Sequence, residues 1–301
     1  ILLKLIQLNG LENSLILLDG MFAFFLLDQK NKTAFLVRDN FGQKPIYFNV
    51  SKNFFCFASE LKAIKKHPKI SFRIDKKSIN HFLNYSYIAA PSSVYENIYQ
   101  LEPGSYLKLS YVDLDIYDEN KNFKNQSILK YKKWWFPKKR NPIDINLKND
   151  SYLDEYSDIL FSSINQVMQS DVSIGTFLSG GIDSALVTSI CSKISKNKIS
   201  TFTVGFEDNN YDESNIAKNV SKILSTNHYE IILNDKEIKN ITEKLSDIHD
   251  EPFADSSQIP TVFLSKFAKQ NITVALTGDG GDEIFGGYNR YTYIPKLIKF
   301  L

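Results

Sequence analysis

Between an apolar run at 173–178 (SIGTFL) and a stretch at 183–195 with Leu186, Ile190 and Ile194 on one face lies Ser179-Gly180-Gly181-Ile182-Asp183-Ser184. Adjacent glycines let backbone N–H groups approach an oxyanion closely, and a helix start adds a positive partial charge. Ser179 and Ser184 can add hydroxyl donors. Asp183 would repel a bare phosphate, so its presence points to a bridging Mg²⁺. A glycine turn that only lets strand and helix pack is the plainer alternative, and the flanking Ser and Asp count against it. A second loop, Thr277-Gly278-Asp279-Gly280-Gly281-Asp282-Glu283, follows the apolar Val274-Ala275-Leu276 and precedes Phe285-Gly286-Gly287-Tyr288. Its three carboxylates repel one another unless a cation or a proton-transfer role offsets this. A solvated acidic turn would not need so many glycines or the apolar run leading in. With Asp183 on Mg²⁺, Asp282 is the natural second ligand, and Asp279 is left free to act as a base. Neither loop is a Walker loop, because Gly181-Ile182 follows Gly180 where Lys-Ser/Thr is required. Neither is a dinucleotide fingerprint, because Glu283 stands where the third glycine belongs.

The elements that must position these loops follow a β-then-α rhythm after residue 150. Helical spacing runs through Leu153, Tyr156, Leu160, Ile164, Val167 and Met168, and again through Ile216, Val220, Ile223 and Leu224 at 212–224. Strands are expected at 173–178, 201–206 (TFTVGF) and 273–277, with a further helix at about 257–269. This order predicts a parallel sheet with ligands at the carboxyl ends of its strands. The first hundred residues differ. Apolar runs at 21–27, 34–37, 46–50 and 54–58 are separated by polar turns, which predicts an antiparallel meander. A helix is expected at about 76–85, and 101–109 suits a turn and a closing strand. Residues 112–150 are rich in Asp, Asn and Lys and carry Trp134-Trp135 beside Lys132, Lys133, Lys138, Lys139 and Arg140. The expectation is a linker pinned by its tryptophans, not a nucleic-acid surface.

Composition narrows the function classes. The 301 residues suit about two domains, and 36 Lys+Arg against 34 Asp+Glu leave a net charge of +2, no electrostatic case for nucleic acid or an anionic membrane. The longest apolar run, 21–27, is far short of the roughly 20 residues of a membrane helix. Cys56 and Cys191 cannot build a disulfide framework and fit a reducing cytoplasm. His67, His81, His228 and His249 show no metal-ligand spacing. The chain opens on Ile1 in apolar sequence without a signal-peptide pattern, and the expectation is a start inside a domain.

The loop at 179–184 resembles the SGGxDS pyrophosphate loop of the PP-loop ATP pyrophosphatases. Together with it, TGDGGDEIFGGYNRY (277–291), DEPFADSSQIP (250–260) and TFTVGFEDNNYDES (201–214) resemble the synthetase domain of the glutamine-hydrolysing asparagine synthetase family. LDGMFAF (18–24), VRDNFGQKPIYF (37–48) and FASELKA (57–63) resemble its class II glutaminase. The likeness runs over nearly the whole chain with the motifs in order. It implies an α/β plus α+β chain, with three parts. These are part of an N-terminal-nucleophile αββα glutaminase at 1–111, a linker at 112–150 and a PP-loop α/β domain at 151–301. It implies ATP and Mg²⁺, aspartate and glutamine as small-molecule substrates, and compatibility with a homodimer. Asp19 matches the aspartate that holds the glutamine α-amino group. Phe177 or Leu178, Val204, and Thr277-Gly278 match backbone around the adenosine. Ser179, Gly180, Gly181, Asp183 and Ser184 match the pyrophosphate loop, and Asp183 with Asp282 match the Mg²⁺ ligands. Asp279 stands where some relatives have Glu, in a role assigned to deprotonating the attacking ammonia. Glu251, Asp255 and Ser256 are candidates for the pocket of the acceptor acid.

The resemblance also has departures. The family's N-terminal cysteine nucleophile, its glutamine-binding arginine and its Asn-Gly-Glu are not among these residues, nor is a later pyrophosphate-contacting lysine. The expectation is therefore a piece of a longer enzyme, with Cys56 and Cys191 as packing residues. Three rivals stand beside asparagine synthesis. One is an amidotransferase of the same build acting on a sugar carboxylate or closing a β-lactam. Another is a non-catalytic regulatory protein that keeps the fold. The third, a tRNA-modifying PP-loop enzyme, would need a basic face that this chain lacks.

Overall fold

The computed structural model describes residues 1–137 except 113, 119–120, 122 and 126–128, then 151–207 and 212–300. Lys138, Lys139, Arg140 and the rest of the expected linker at 141–150 lie outside the described residues. The chain forms two compact units. One is Ile1–Ile143 with Leu245–Asp255, and the other is Asp144–Lys244 with Ser256–Leu301.

In the first unit the apolar runs become β1 (Ala23–Asp28), β2 (Thr33–Arg38), β3 (Tyr47–Ser51), β4 (Phe54–Ala58), β5 (Ile98–Gln100), β6 (Ser105–Ser110) and β7 (Leu129–Lys133). They pair antiparallel into two sheets, ordered β1-β2-β6-β7 and β4-β3-β5. Alternation sorts the side chains into layers. Leu36, Leu107, Leu109 and Leu129 of one sheet meet Phe48 and Val50 of the other in a shared core. Val37 and Tyr106 point the opposite way, onto Leu11 and Leu15 of the helix Leu2–Ile16. Tyr47, Cys56 and Ala58 pack on Leu61, Ile64, Ile79 and Phe82, which belong to the helices Leu61–Ile64 and Lys76–Tyr85. The layers therefore run helix, sheet, sheet, helix. The first sheet extends beyond residue 111, because β7 pairs with β6 from Ser105↔Lys133 to Leu109↔Leu129 and Trp134 stacks on Phe22. That part of the expected linker is sheet.

The loop after β2 is built around two buried charges. The Asp39 carboxylate accepts from the backbone N–H groups of Phe22, Phe41, Gln43 and Lys44. The Arg38 guanidinium donates to the carbonyls of Gly42, Lys44 and Leu101. Burial pulls the Arg38 pKa below its ordinary value, while the neighbouring Asp39 charge opposes that shift.

Residues 245–255 close this unit. Asp250 accepts from Leu61 N at 2.6 Å and Lys62 N at 3.3 Å, satisfying first-turn donors of the helix Leu61–Ile64. Glu251 accepts from Val94 N at 2.8 Å and from the Tyr47 hydroxyl at 3.2 Å, and Gln100 Nε2 donates to that same hydroxyl. Burial raises the Glu251 pKa, outweighing the two hydrogen bonds that lower it.

The second unit carries β8 (Ile174–Phe177), β9 (Ser200–Phe206), β10 (Asn227–Leu233) and β11 (Val274–Leu276), all parallel in the order β10-β9-β8-β11. The strand β10 was not expected, because Asn227, His228 and Glu230 mask its apolar Ile231-Ile232-Leu233. The helices Ser151–Met168, Ile182–Ile194, Ser214–Ile223 and Gln258–Ala268 fall on the expected stretches. Phe202, Leu264, Ala268 and Ile272 form the core beneath the last of these. The chain steps from β8 to β9 to β10 in one direction, and β11 then returns to the other side of β8. The crevice between the carboxyl ends of β8 and β11 is thus the topological switch point, where ligands bind in open α/β sheets.

A carboxyl whose pKa is raised on folding contributes stability that is complete below its unfolded value and is lost as pH rises through the folded value. The unfolding free energy of the native chain relative to a Glu251→Gln variant therefore falls as pH rises through and above the ordinary glutamate range, about 4.3. Urea titrations of both proteins across that range check it. A flat or rising difference sinks the assignment.

Candidate active site

The loops after β8 and β11 occupy the switch point and meet there. The helix Ile182–Ile194 starts at Gly181 without a side-chain cap, so its first-turn amides remain available to an anion. Ser184 is buried, and its hydroxyl is spent inside the loop. It accepts from Ser179 N at 3.1 Å and lies 2.8 Å from Ser179 Oγ and 3.1 Å from the Gly181 carbonyl. Gly181 N donates in turn to Ser179 Oγ at 3.1 Å. In the structure the Ser184 hydroxyl, one of the two candidate donors, shapes the turn. Below the loop, the fully buried hydroxyls of Thr176 and Thr188 lie 2.9 Å apart and tie strand β8 to the helix.

The second loop approaches the first at two glycines. A β-carbon at Gly278 would lie 2.7 Å from Ser184 N, and one at Gly281 would lie 2.5 Å from the Asp183 carboxyl carbon. At Gly278 the neighbour is backbone and cannot give way, whereas at Gly281 the Asp183 carboxylate would have to swing aside. The short helix Gly281–Phe285 then presents Asp282.

These segments surround a cavity of about 970 Å³. Phe177, Leu178, Ser179, Gly181, Asp183, Ser184, Val204, Thr277, Gly278, Asp279 and Asp282 all line it, while Gly180, in the same turn, does not. Asp19, expected at the glutamine site of the first unit, is exposed on the loop before β1 of that unit. Asp255 and Ser256 are exposed, and neither lines the cavity. Glu251 belongs to the first unit, and its carboxylate accepts from Val94 N and the Tyr47 hydroxyl.

Several lining residues carried no sequence signal of their own. Pro260, Thr261 and Leu264 come from one face of the helix Gln258–Ala268, and Thr203 and Phe206 come from β9. Glu213, beside Gly180, is the N-cap of the helix Ser214–Ile223. Its place at a strand-to-helix junction was the available clue.

The charge in this cavity has one sign. Among the described residues that line it are Asp183, Glu213, Asp279 and Asp282, with no Lys, Arg or His. Neither Asp183 nor Asp282 is in an ion pair with a described residue. Among the described residues, no group of three or more His, Cys, Asp or Glu is placed to hold a metal. Two carboxylates outside any described ion pair, beside an uncapped helix start, still suit Mg²⁺, which takes one or two protein carboxylates and completes its shell from other oxygen ligands.

Residues 155–300 match the asparagine synthase family, and residues 1–119 match a glutamine amidotransferase domain family. A putative asparagine synthetase (glutamine-hydrolysing) of Methanocaldococcus jannaschii is 35% identical over 292 residues, covering 94% of this chain and 53% of the relative. Asparagine synthetase (glutamine-hydrolysing) 1 of Bacillus subtilis is 32% identical over 283 residues, covering 94% of this chain and 42% of that protein. A putative homologue in Mycobacterium tuberculosis is 27% identical over 294 residues, with 94% and 43% covered. The chain spans about half the length of the curated relatives it matches. Both units match in the order amidotransferase then synthase, and the relatives align along nearly all of these residues, so the chain belongs to the glutamine-hydrolysing asparagine synthetase family.

Proposed function

We propose that the protein works in an ATP-dependent amide ligase that converts aspartate, glutamine, ATP and water to asparagine, glutamate, AMP and pyrophosphate. The observation that supports this best is the convergence of Asp183, Asp279 and Asp282 on one cavity beside an uncapped helix start at the switch point. On this reading the second unit is a PP-loop ATP pyrophosphatase domain at 151–301. The first unit is part of a class II, N-terminal-nucleophile glutaminase at 1–111, extended by β7. Its helix, sheet, sheet, helix layering supports that assignment. A reducing cytoplasm and a homodimer complete the reading.

Backbone at Leu178, Val204, Thr277 and Gly278 holds the adenosine, and the turn from Ser179 to Ser184 holds the β- and γ-phosphates at the helix start. Asp183 and Asp282 would hold Mg²⁺, whose charge offsets that of the phosphates and of the cavity's own carboxylates. The aspartate β-carboxylate attacks the α-phosphate, and pyrophosphate leaves with the bond broken between the α- and β-phosphates. Ammonia attacks the resulting β-aspartyl-adenylate, Asp279 takes the proton that nitrogen loses, and AMP departs as asparagine forms. Asp19 holds the α-ammonium of glutamine in the first unit, where hydrolysis supplies the ammonia.

The complete protein supplied with aspartate, ATP, Mg²⁺ and either glutamine or ammonia is expected to yield asparagine, AMP and pyrophosphate. Formation of ADP and phosphate refutes the loop assignment. Turnover only with a different carboxylic acid moves the protein to another amidotransferase. Asp183→Ala is expected to lower synthesis from both nitrogen sources by about 100-fold or more. Gly278→Ala forces a β-carbon against Ser184 N, a backbone atom that cannot rotate aside. Overpacking of this kind costs about 1–3 kcal/mol, and MgATP affinity is expected to fall about tenfold or more with an unchanged circular dichroism spectrum.

A further inference from the structure

We propose that Thr203 is a positioning residue that sets the distance between the backbone facing the nucleoside and the turn that holds the phosphates. The inference rests on the assignment of this cavity to ATP. In β9, Phe202 and Val204 point into the core with Leu264, while Thr203 faces the other side of the sheet and is only 3% exposed. Its hydroxyl donates to the Leu178 carbonyl at 2.6 Å, and Leu178 N donates to the Phe202 carbonyl at 2.9 Å. The paired register of β8 with β9 ends at Phe177↔Phe202, so Leu178 is the last residue before the chain leaves the sheet. The next amide, Ser179 N, already turns inward to Ser184 Oγ. The Thr203 hydroxyl is therefore the last tether between β9, which carries Val204, and the start of the phosphate turn.

The turn keeps its own shape without this tether. Ser179, Gly181 and Ser184 close a hydrogen-bonded ring, and the Thr176–Thr188 contact fixes the helix behind it to β8. Thr203 adds the alignment of that ring with the adenosine-facing backbone of Val204. Packing does not require a hydroxyl at this position, because a valine has the same outline. A valine does leave the buried Leu178 carbonyl without its donor, and that carbonyl then turns toward the water of the cavity. A ligand that spans both segments should register the loss. A ligand that touches only the turn should not.

The test uses the full chain with MgATP and magnesium pyrophosphate as probes, in titration calorimetry. Thr203→Val is expected to weaken MgATP about tenfold and pyrophosphate less than about twofold, the loss of one hydrogen bond read by one ligand. Thr203→Ser keeps the hydroxyl and is expected to restore MgATP to within about twofold of the native chain. Thr203→Ala serves as a second hydroxyl-less variant should the valine protein not fold, and the same ratio is expected. Equal losses for both ligands, an unchanged MgATP affinity, or a serine variant as weak as the valine one overturns the inference. A native chain that binds neither probe removes the ATP assignment itself, and the inference with it.

Discussion

Two neighbouring parallel strands that end side by side must turn their loops into the same space, and here that space is so narrow that backbone meets backbone. Strands β8 and β11 are such neighbours, and Gly278 lies against the amide of Ser184 because no side chain fits between them. From this contact the rest of the cavity follows. It brings a carboxylate from each loop, Asp183 and Asp282, to the same wall and leaves the first turn of the helix Ile182–Ile194 facing the gap. The reversal of strand order at β8 creates the gap, and the glycines let it be narrow at its floor. The same closeness has an electrostatic cost, since carboxylates gathered on one wall without a described cation beside them repel each other and any polyanion. On the proposed reading, Asp183 and Asp282 would hold a hard cation whose charge would offset both repulsions.

The first unit solves a different problem with buried charge. Its loop from Arg38 to Lys44 must run over the end of a sheet, where backbone groups would otherwise go unpaired. Asp39 collects four of the donors and Arg38 three of the carbonyls. Removing either charge would strand the other group and its backbone partners away from water, so the pair specifies the loop more than it stabilises the unit. This gives a physical reason for the Arg-Asp…Gly…Pro spacing within the motif at 37–48, beyond its family likeness.

What could be read in advance, and what could not, divides along the length scale of the interactions. The turn at 179–184 was legible as a strand-to-helix junction because glycines, hydroxyls and a carboxylate sit within six residues between an apolar run and a helical pattern. The strands of the first unit were legible from alternation. The strand β10 was not, because three polar residues in its first four break the apolar pattern, and only pairing with β9 along its full length explains it. Glu251 was singled out only through the likeness of residues 250–260 to the synthetase domain, with no partner in view. Its partners Val94 and Tyr47 are 157 and 204 residues away in the chain, and no local pattern announces that residues 245–255 leave one unit to complete the other. The segment after residue 111 shows the converse. Its polar composition suggested a linker, yet five of its residues find a sheet edge at β6.

The hydroxyls and carboxylates around the cavity divide their work by what each costs to bury. Thr176, Thr188, Thr203 and Ser184 are buried, and each finds a partner at hydrogen-bond distance from within the protein. A neutral hydroxyl so satisfied is nearly free to bury, and it fixes geometry through short, directional contacts. Asp183 and Asp282 stay half-buried and Asp279 exposed, because an ionised carboxylate cannot be buried without a partner. The rigid part of the site is therefore neutral and complete within the protein. The charged part faces the cavity. A turn held by its own hydrogen bonds is ordered in advance, and on the proposed reading little of the binding energy of a phosphate would be spent on ordering it.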